Sequence, residues 1–445
     1  MFGTSGIRGL YGSDVTPELA RKVGNAVGLR GKKLILARDT RSTSPILAKS
    51  LAAGAMSAGC SVIDIGVAPT PLLAYACMKE KCDGAMITAS HNPPEYNGIK
   101  LFSHGMEYAK PQEKEIEQAV AAGERISEWK SAGQLSEKDY SHEYIGYLLS
   151  KADSALVKSV APKVLVDAGN AAAYRVGPEL LEAAGCVVVR HYCDKPGDFK
   201  RNLEPNPSTL AEAAKAVKKE KCDFGIAFDG DGDRAIAIDE KGNALPLDVQ
   251  LAMFCKHFIA KAKDGNKRVI STVEASLTVR ETVESLGGTV SITPVGSLHV
   301  AEEVKKQGAI FGGEPCGEYV FPSATPCAEG ILSALVIAEI FATGGKLSTL
   351  ASSIKTYSMD RRKYKCLAGK KDAIMHAIGA RPQLEGKLST VDGLRYDFDD
   401  GWMLIRASGT EPAIRLTCEA RTQKRLTEVA QRAENIIVQE IDKAK

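Results

Sequence analysis

No apolar stretch in this chain approaches the ~20 residues that a membrane-spanning helix needs; Ile331 to Ala342 comes nearest and is interrupted by Glu339. A soluble protein without a membrane partner is expected. Charge of one sign is also missing: 58 Lys and Arg against 55 Asp and Glu leave +3, too near balance for the broad positive field of a nucleic-acid binder. Any anion site must be local. There is no C-x-x-C, and the 11 cysteines are odd in number and scattered, which argues against a disulfide framework or a zinc site and for a reducing, cytoplasmic location. The start, MFGTSGIRG, lacks the basic stretch and apolar core of a signal peptide. With 44% hydrophobic and 25% charged residues, the composition excludes disorder, coiled coil and collagen for the chain as a whole. At 445 residues it is too long for one core, and roughly three domains are expected.

What is present is a long-period repeat. LILARD (34–39), VLVDAGN (164–170) and RVISTVE (268–274) are apolar, β-branched-rich runs that each end in a polar segment. Each is followed by a second run, in SAGCSVIDIG, AAGCVVVRHY and SLGGTVSITPVG, after a helix-forming stretch such as Ser44 to Ala58 or Val176 to Ala184. A third run in each unit ends in a distinctive loop: GAMITASHNPP, FGIAFDGDGDR and AIFGGEPCGE. Ligands of open α/β sheets sit beyond the carboxyl ends of strands, so the three loops are expected to converge. The last ~90 residues break the pattern with a basic entry, a hairpin-like WMLIRASGTEPAIRLTCEA and an amphipathic helix. The chain is therefore divided into three similar α/β domains, 1–148, 149–248 and 249–356, and a smaller α+β domain, 357–445.

The loops carry the chemistry. Ser90, in Thr88-Ala89-Ser90-His91-Asn92-Pro93-Pro94, is either a nucleophile with Lys100 as its basic partner or part of an ordinary Asn-Pro turn, and the loop alone favours the turn. Asp229, Asp231 and Asp233 alternate with glycines, so three carboxylates can face one hard cation, for which Mg²⁺ is the natural choice. An EF-hand also places acids at 229, 231, 233 and 240. Arg234 stands where that loop requires Gly, and the flanks FGIAF and AIAI alternate like strands. Arg406, Ser408, Gly409, Thr410 and Arg415 have the form of a phosphate cradle between two strands. Gly3 to Gly9, with Arg8, has similar chemistry as a weaker motif. Asp14, Asp39 and Arg41 are read as lining the first domain's cleft or, as is commoner for such loop residues, capping helices, His104 and His257 as structural, and His299 as either a surface or a substrate-side histidine.

TASHNPPEYNGIK, AFDGDGDR, GGEPCGE and RASGTEP, in this order, resemble the four signature loops of the α-D-phosphohexomutase superfamily, and with FGTSGIRG they look most like its archaeal phosphoglucosamine mutase branch. The resemblance spans essentially the whole chain. It implies three α/β domains with mixed sheets and a C-terminal domain around a central cleft, and an intramolecular phosphotransferase that isomerises a hexose 6-phosphate to the 1-phosphate. It further implies a phosphoserine at Ser90, Mg²⁺ held by Asp229, Asp231, Asp233 and a phosphoserine oxygen, and a hexose bisphosphate as priming activator. Arg8, Lys100 and Arg234 would stabilise transferred charge or move protons, Glu314 and Cys316 would contact sugar hydroxyls, and the Arg406 to Arg415 loop would grip the phosphate that is not reacting. Two positions depart from many relatives: Cys316 stands where they have Ser, and Glu318 where they have His. The second departure suggests a carboxylate paired with the C2 ammonium of glucosamine phosphate. The small-molecule partner is then a phosphosugar. A broad phosphomannomutase/phosphoglucomutase and a catalytically silent sugar-phosphate sensor are the alternatives.

Overall fold

A computed structural model describes residues 1–444 apart from Thr4, Asp264, Ala368, 382–385 and 409–411. The chain forms two compact units, Met1–Gln250 with Cys316–Ser352, and Leu251–Pro315 with Ser353–Lys445.

In the first unit the run LILA is wholly buried because its strand, Lys33–Arg38, lies inside a seven-stranded sheet, parallel to Ser61–Val67 and to Asp83–Ile87. Parallel neighbours need crossovers, supplied by the helices Ser44–Ser57 and Thr70–Glu80. The strand Tyr96–Ser103 then turns antiparallel beside Asp83–Ile87 and carries Ile7–Leu10 on its other side, so the sheet is mixed. The helix Pro17–Gly28 starts where Thr16 accepts a hydrogen bond from the Leu19 N–H and Pro17 opens the first turn. It crosses Ser44–Ser57 backbone to backbone: a Cβ on Gly24 would stand 2.0 Å from Leu51 O, and one on Gly54 1.9 Å from Arg21 O.

The same unit holds a four-stranded sheet in the order Ala235–Ile238, Phe224–Phe228, Lys163–Asp167, Val187–His191. Phe224–Phe228 is parallel to Lys163–Asp167 and antiparallel to Ala235–Ile238, so the acidic loop joins a hairpin, which excludes the EF-hand. The apolar run near Ile331 is the helix Gly330–Gly344, buried over most of its length and packed on the helices Ser154–Val160 and Val176–Ala183. Its hydrophobicity is that of a core helix. Among the described residues no helix is long and apolar enough to cross a membrane, and all 11 cysteines are free thiols.

In the second unit Thr289–Thr293, Arg268–Thr272 and Phe311–Gly313 run parallel, with the helices Leu277–Ser285 and Ser297–Gln307 as crossovers. A five-stranded antiparallel sheet follows, from Ser358–Lys365 through Ala413–Ala420, Gly401–Ala407 and Leu394–Phe398 to Lys387–Ser389. The helix Gln423–Lys443 buries Leu426, Val429, Ala433, Ile436 and Ile437 on one face, as its spacing predicts. Glu419 is buried yet satisfied, accepting from Trp402 Nε1 (2.5 Å), Ser276 Oγ (2.5 Å) and Leu277 N (2.7 Å). The fold class is the expected one, α/β domains with mixed sheets and an α+β C-terminal domain.

Candidate active site

Ser90 leaves the strand Asp83–Ile87 in a left-handed conformation (φ 49°) and is 2% exposed. Its N–H donates to Thr88 Oγ1 (2.8 Å) and its Oγ to Asp229 Oδ2 (2.9 Å), with His91 Nδ1 at 3.2 Å. The turn thus aims the Ser90 hydroxyl at the acidic loop. Gly230 makes the approach possible, since a Cβ there would lie 2.1 Å from Ser90 O. Burial, then the guanidinium groups of Arg234 and Arg8, push the pKa of His91 down to about 4, so its imidazole is neutral at pH 7.

Asp229 follows the strand Phe224–Phe228 and accepts from the N–H groups of Gly232 (3.0 Å) and Arg234 (3.2 Å), which closes the loop around it. Asp231 accepts from Thr70 Oγ1 (2.8 Å) and Lys100 Nζ (2.7 Å), and Asp233 from Lys100 Nζ (2.9 Å). One carboxylate oxygen of each aspartate lies within 4.8 Å of the others. Burial and mutual repulsion raise the pKa of Asp229 well above the usual range; burial and Asp231 raise Asp233. Burial pushes Asp231 up as well, but the Lys100 ammonium outweighs it and holds that carboxyl low. Two of the three buried carboxylates therefore share one lysine. Asp231 Oδ1 and Asp233 Oδ1 are buried without a hydrogen-bond partner, so the donor set fits a hard divalent cation that would occupy them.

Lys100, on the strand Tyr96–Ser103, does not touch Ser90. Burial opposes its charge, yet Asp231, Asp233 and Glu107 raise its pKa, so it is a fixed cation and not a proton acceptor. Sheet register explains its neighbours: Arg8 pairs with Gly98 and Glu107 with Phe102, two residues on either side of Lys100, and so all three side chains share one face. Arg8 reaches Asn92 Oδ1 and Ser5 Oγ only at 3.4 Å, and its Nε is buried without a partner. Arg234 donates through Nε (2.9 Å) and Nη2 (2.6 Å) to Glu318 Oε1. That carboxylate is already neutralised, which weighs against the expectation that it meets a sugar ammonium. Cys316 is half-buried.

In the second unit Glu314 is buried and accepts from Gly296 N (3.0 Å), and His299 lies 3.8 Å from Glu302. Arg406 is held by Glu274 (2.9 Å) and Asp392 (2.8 Å). Arg406 and Arg415 are register partners on adjacent strands, and Lys363 pairs with Arg415 on its other side, so three cations form a row. Ser408 Oγ is buried without a partner among the described residues, while Lys371 Nζ donates to Ser408 O (2.6 Å). Gly409 and Thr410 lie outside the described residues.

Several residues at the site escape the motif reading. Thr70 opens the helix Thr70–Glu80 outside any motif, Thr88 lies inside the Ser90 motif without being singled out by it, and Lys363 and Lys371 lie in basic stretches without a motif. Asp39 and Arg41 do not cap a helix: Arg41 binds the carbonyls of the Ser90 loop, and Asp39 accepts from Thr88 Oγ1 (2.8 Å). Asp14 does act locally, accepting from Leu10 N (3.0 Å). The sequence signal for Asp39 is the repeat itself, in which an acid stands at or just after the end of each unit's leading apolar run: Asp39, Asp167, Glu274.

Models of the four domains of one family match the chain in order: phosphoglucomutase/phosphomannomutase α/β/α domain I over residues 1–127, domain II over 142–242, domain III over 247–357 and the C-terminal domain over 360–436. The chain is 40% identical over 452 residues to a protein of Thermococcus gammatolerans named "Probable phosphoglucosamine mutase", covering 100% of this chain and 99% of that one. A protein of the same name from Methanosphaera stadtmanae is 39% identical over 443 residues, 96% of each chain. Among solved structures, a phosphoglucomutase/phosphomannomutase family protein of Burkholderia thailandensis is 25% identical, with a TM-score of 0.89 over 100% of this chain and 98% of that one.

Proposed function

Because the chain belongs to the phosphoglucomutase/phosphomannomutase family and is an intramolecular phosphotransferase acting on phosphosugars, we propose that it interconverts glucosamine 6-phosphate and glucosamine 1-phosphate through a phosphoserine at Ser90 and a sugar bisphosphate. The observation that carries the reading is the Ser90 Oγ to Asp229 Oδ2 hydrogen bond of 2.9 Å, which puts a buried hydroxyl against a cluster of carboxylates. The names of the relatives support the amino sugar.

Phosphoryl transfer is mostly positioning and charge neutralisation, and the residues divide accordingly. Asp229, Asp231 and Asp233 would hold Mg²⁺ together with an oxygen of the phosphoserine. When bound, the ion neutralises charge on the phosphoryl oxygens. Ser90 Oγ already directs its proton to Asp229 Oδ2, which fixes the hydroxyl's orientation. Lys100 stays protonated and balances charge beside the transferred group, and the unpartnered Nε of Arg8 is free to donate to it. Arg234, steadied by Glu318, adds a second guanidinium. Arg406, Ser408, Gly409, Thr410 and Arg415 would grip the phosphate that is not reacting, and Glu314 and Cys316 the sugar hydroxyls. A bisphosphate intermediate must turn around between the two transfers, so that cradle has to accept either phosphate.

A second reading, a broad phosphomannomutase/phosphoglucomutase, is favoured by the Arg234–Glu318 pair, which removes a carboxylate that an amino sugar would use. Protein loaded with Mg²⁺ and primed with a trace of bisphosphate, given glucosamine, glucose and mannose 6-phosphates separately, separates the two by ³¹P NMR. We expect 1-phosphate to form fastest from glucosamine 6-phosphate and to be lost in Ser90→Ala by about 10⁴-fold or more, the scale of a missing covalent nucleophile. Preference for the neutral sugars selects the second reading.

A further inference from the structure

The loop that carries Ser90 is held by one side chain whose donors are all in use. Arg41, 0% exposed, gives Nε to Asp39 Oδ2 (3.0 Å), Nη2 to Ser90 O (2.9 Å) and Asn92 O (2.7 Å), and Nη1 to Pro93 O (2.5 Å) and Tyr96 O (3.1 Å). A guanidinium has five N–H groups in a fixed fork, and here each has an acceptor. Asp39 closes the circuit from the other side. It accepts from Arg41 N (3.0 Å), Ser44 Oγ (2.5 Å) and Thr88 Oγ1 (2.8 Å), and Thr88 Oγ1 in turn accepts the Ser90 N–H (2.8 Å). Both backbone polar groups of Ser90 therefore lead back to the Asp39–Arg41 pair. The residue they hold is in the left-handed region (φ 49°), which a non-glycine residue keeps only when its surroundings impose it.

The device recurs one repeat later. Asp167 ends the strand Lys163–Asp167, as Asp39 follows Lys33–Arg38, and its carboxylate takes Arg201 Nε (3.0 Å) with both side chains buried. Arg201 Nη2 then donates to Phe228 O (2.7 Å), the residue before Asp229. The two loops that meet at the Ser90–Asp229 hydrogen bond are thus each tied to a buried Asp–Arg pair whose aspartate stands at a corresponding place in the repeat, while the arginine comes from a different point in the chain, two residues on in one case and 34 in the other. In both cases a buried arginine paired with an aspartate holds backbone carbonyls of the loop that carries one end of that hydrogen bond.

We propose that Asp39–Arg41 is a positioning pair for phosphoryl transfer, setting the direction of Ser90 Oγ toward the Asp229–Asp233 loop, with Asp167–Arg201 as its counterpart on that loop. This rests on the reading of Ser90 as the phosphoryl carrier. Neither arginine touches the reacting atoms; each acts through backbone carbonyls. Misplacing a reacting atom by about 1 Å costs about 100-fold in rate. Arg41→Lys keeps a charge beside Asp39 but has three donors on a flexible stem and cannot serve five acceptors.

The test uses full-length, Mg²⁺-loaded protein whose Ser90 phosphate content is measured by intact mass. The transfer rate from phosphoserine to sugar phosphate is then followed in a single turnover, per phosphorylated molecule. We expect that rate to fall about 100-fold in Arg41→Lys with KM changed less than about 3-fold, the scale of a 1 Å displacement. A purely structural role would lower the phosphorylatable fraction and leave the rate per phosphorylated molecule at the wild-type value, which overturns the proposal. Thr88→Val, which cuts only the link from Asp39 to the Ser90 N–H, provides a milder variant if Arg41→Lys does not fold. Its rate per phosphorylated molecule should fall about 10-fold, a displacement of a fraction of an ångström, and an unchanged rate is the overturning result. Wild-type protein with no phosphoserine and no turnover sinks the mutase reading instead, so the two failures are distinct.

Discussion

At the residue scale the site is a problem of charge. Asp229, Asp231 and Asp233 are buried, and the last two share the ammonium of Lys100, itself 3% exposed. Removing one partner of a buried ionic cluster leaves uncompensated charge and costs about 3–5 kcal/mol. Lys100→Met should therefore lose about 3 kcal/mol of stability in chelator at pH 7, measured by urea unfolding. The loss should shrink as the pH falls toward 4, because Asp231, no longer held low by the ammonium, then takes up a proton in the folded state. Loss of activity without loss of stability would mean that the ammonium matters to the reaction and not to the carboxylates. The three aspartates are legible from sequence because alternate acids spaced by glycine have one chemical use. Arg41 is not: four of its five acceptors are backbone carbonyls about fifty residues away, which carry no sequence identity. If Ser90 is a nucleophile, the loop motif offers Lys100 as its basic partner, but strand register directs that side chain to Asp231 and Asp233 instead.

At the scale of elements, the strands were readable because each unit repeats an apolar run followed by a small-residue break, and the helix Gln423–Lys443 because its buried positions follow the 3.6 period. The helix Gly330–Gly344 has no such stripe, being buried nearly all round, and its start depends on a tertiary cluster. Glu329 caps it, accepting from Leu332 N (3.3 Å), Tyr144 OH (2.5 Å) and Thr325 Oγ1 (2.8 Å). Burial, only partly offset by these donors, pushes its pKa up to about 7 from an ordinary 4.5. The folded state then binds a proton that the unfolded state has released between about pH 4.5 and 7. This contribution is present below pH 4.5 and is lost as pH rises through 7. Glu329→Gln keeps an acceptor for the cap and removes the titration. Relative to wild type it should gain up to about 3 kcal/mol between pH 4.5 and 8 in urea unfolding, at 1.36 kcal/mol per pKa unit. A constant difference between the two proteins across that range would show that Glu329 does not ionise in the window.

At the scale of the whole molecule, a net charge of +3 says little about affinity for anions or cations, because the charges that matter are sorted into local clusters. The acidic one lies wholly within the unit formed by Met1–Gln250 and Cys316–Ser352, and its two partnerless oxygens are the strongest reason to expect a divalent ion there. An ion that binds the folded chain alone stabilises it by RT ln(1 + [L]/Kd), about 2.7 kcal/mol at 100 times Kd. Mg²⁺ should accordingly raise the unfolding free energy by about that amount over protein in EDTA, and the gain should disappear in Asp231→Asn. Hydrogen exchange locates the effect: protection should increase in residues 88–98 and 229–235, which meet at the Ser90–Asp229 hydrogen bond. Residues 401–420 of the other unit, which contribute Arg406 and Arg415 to a row of cations with Lys363, should not respond to the cation. They should respond to inorganic phosphate instead. Because the two ligands call on opposite charges in different units, either response can fail without the other. A Mg²⁺ effect that survives Asp231→Asn, or that spreads evenly over both units, would place the ion outside the Asp229–Asp233 loop.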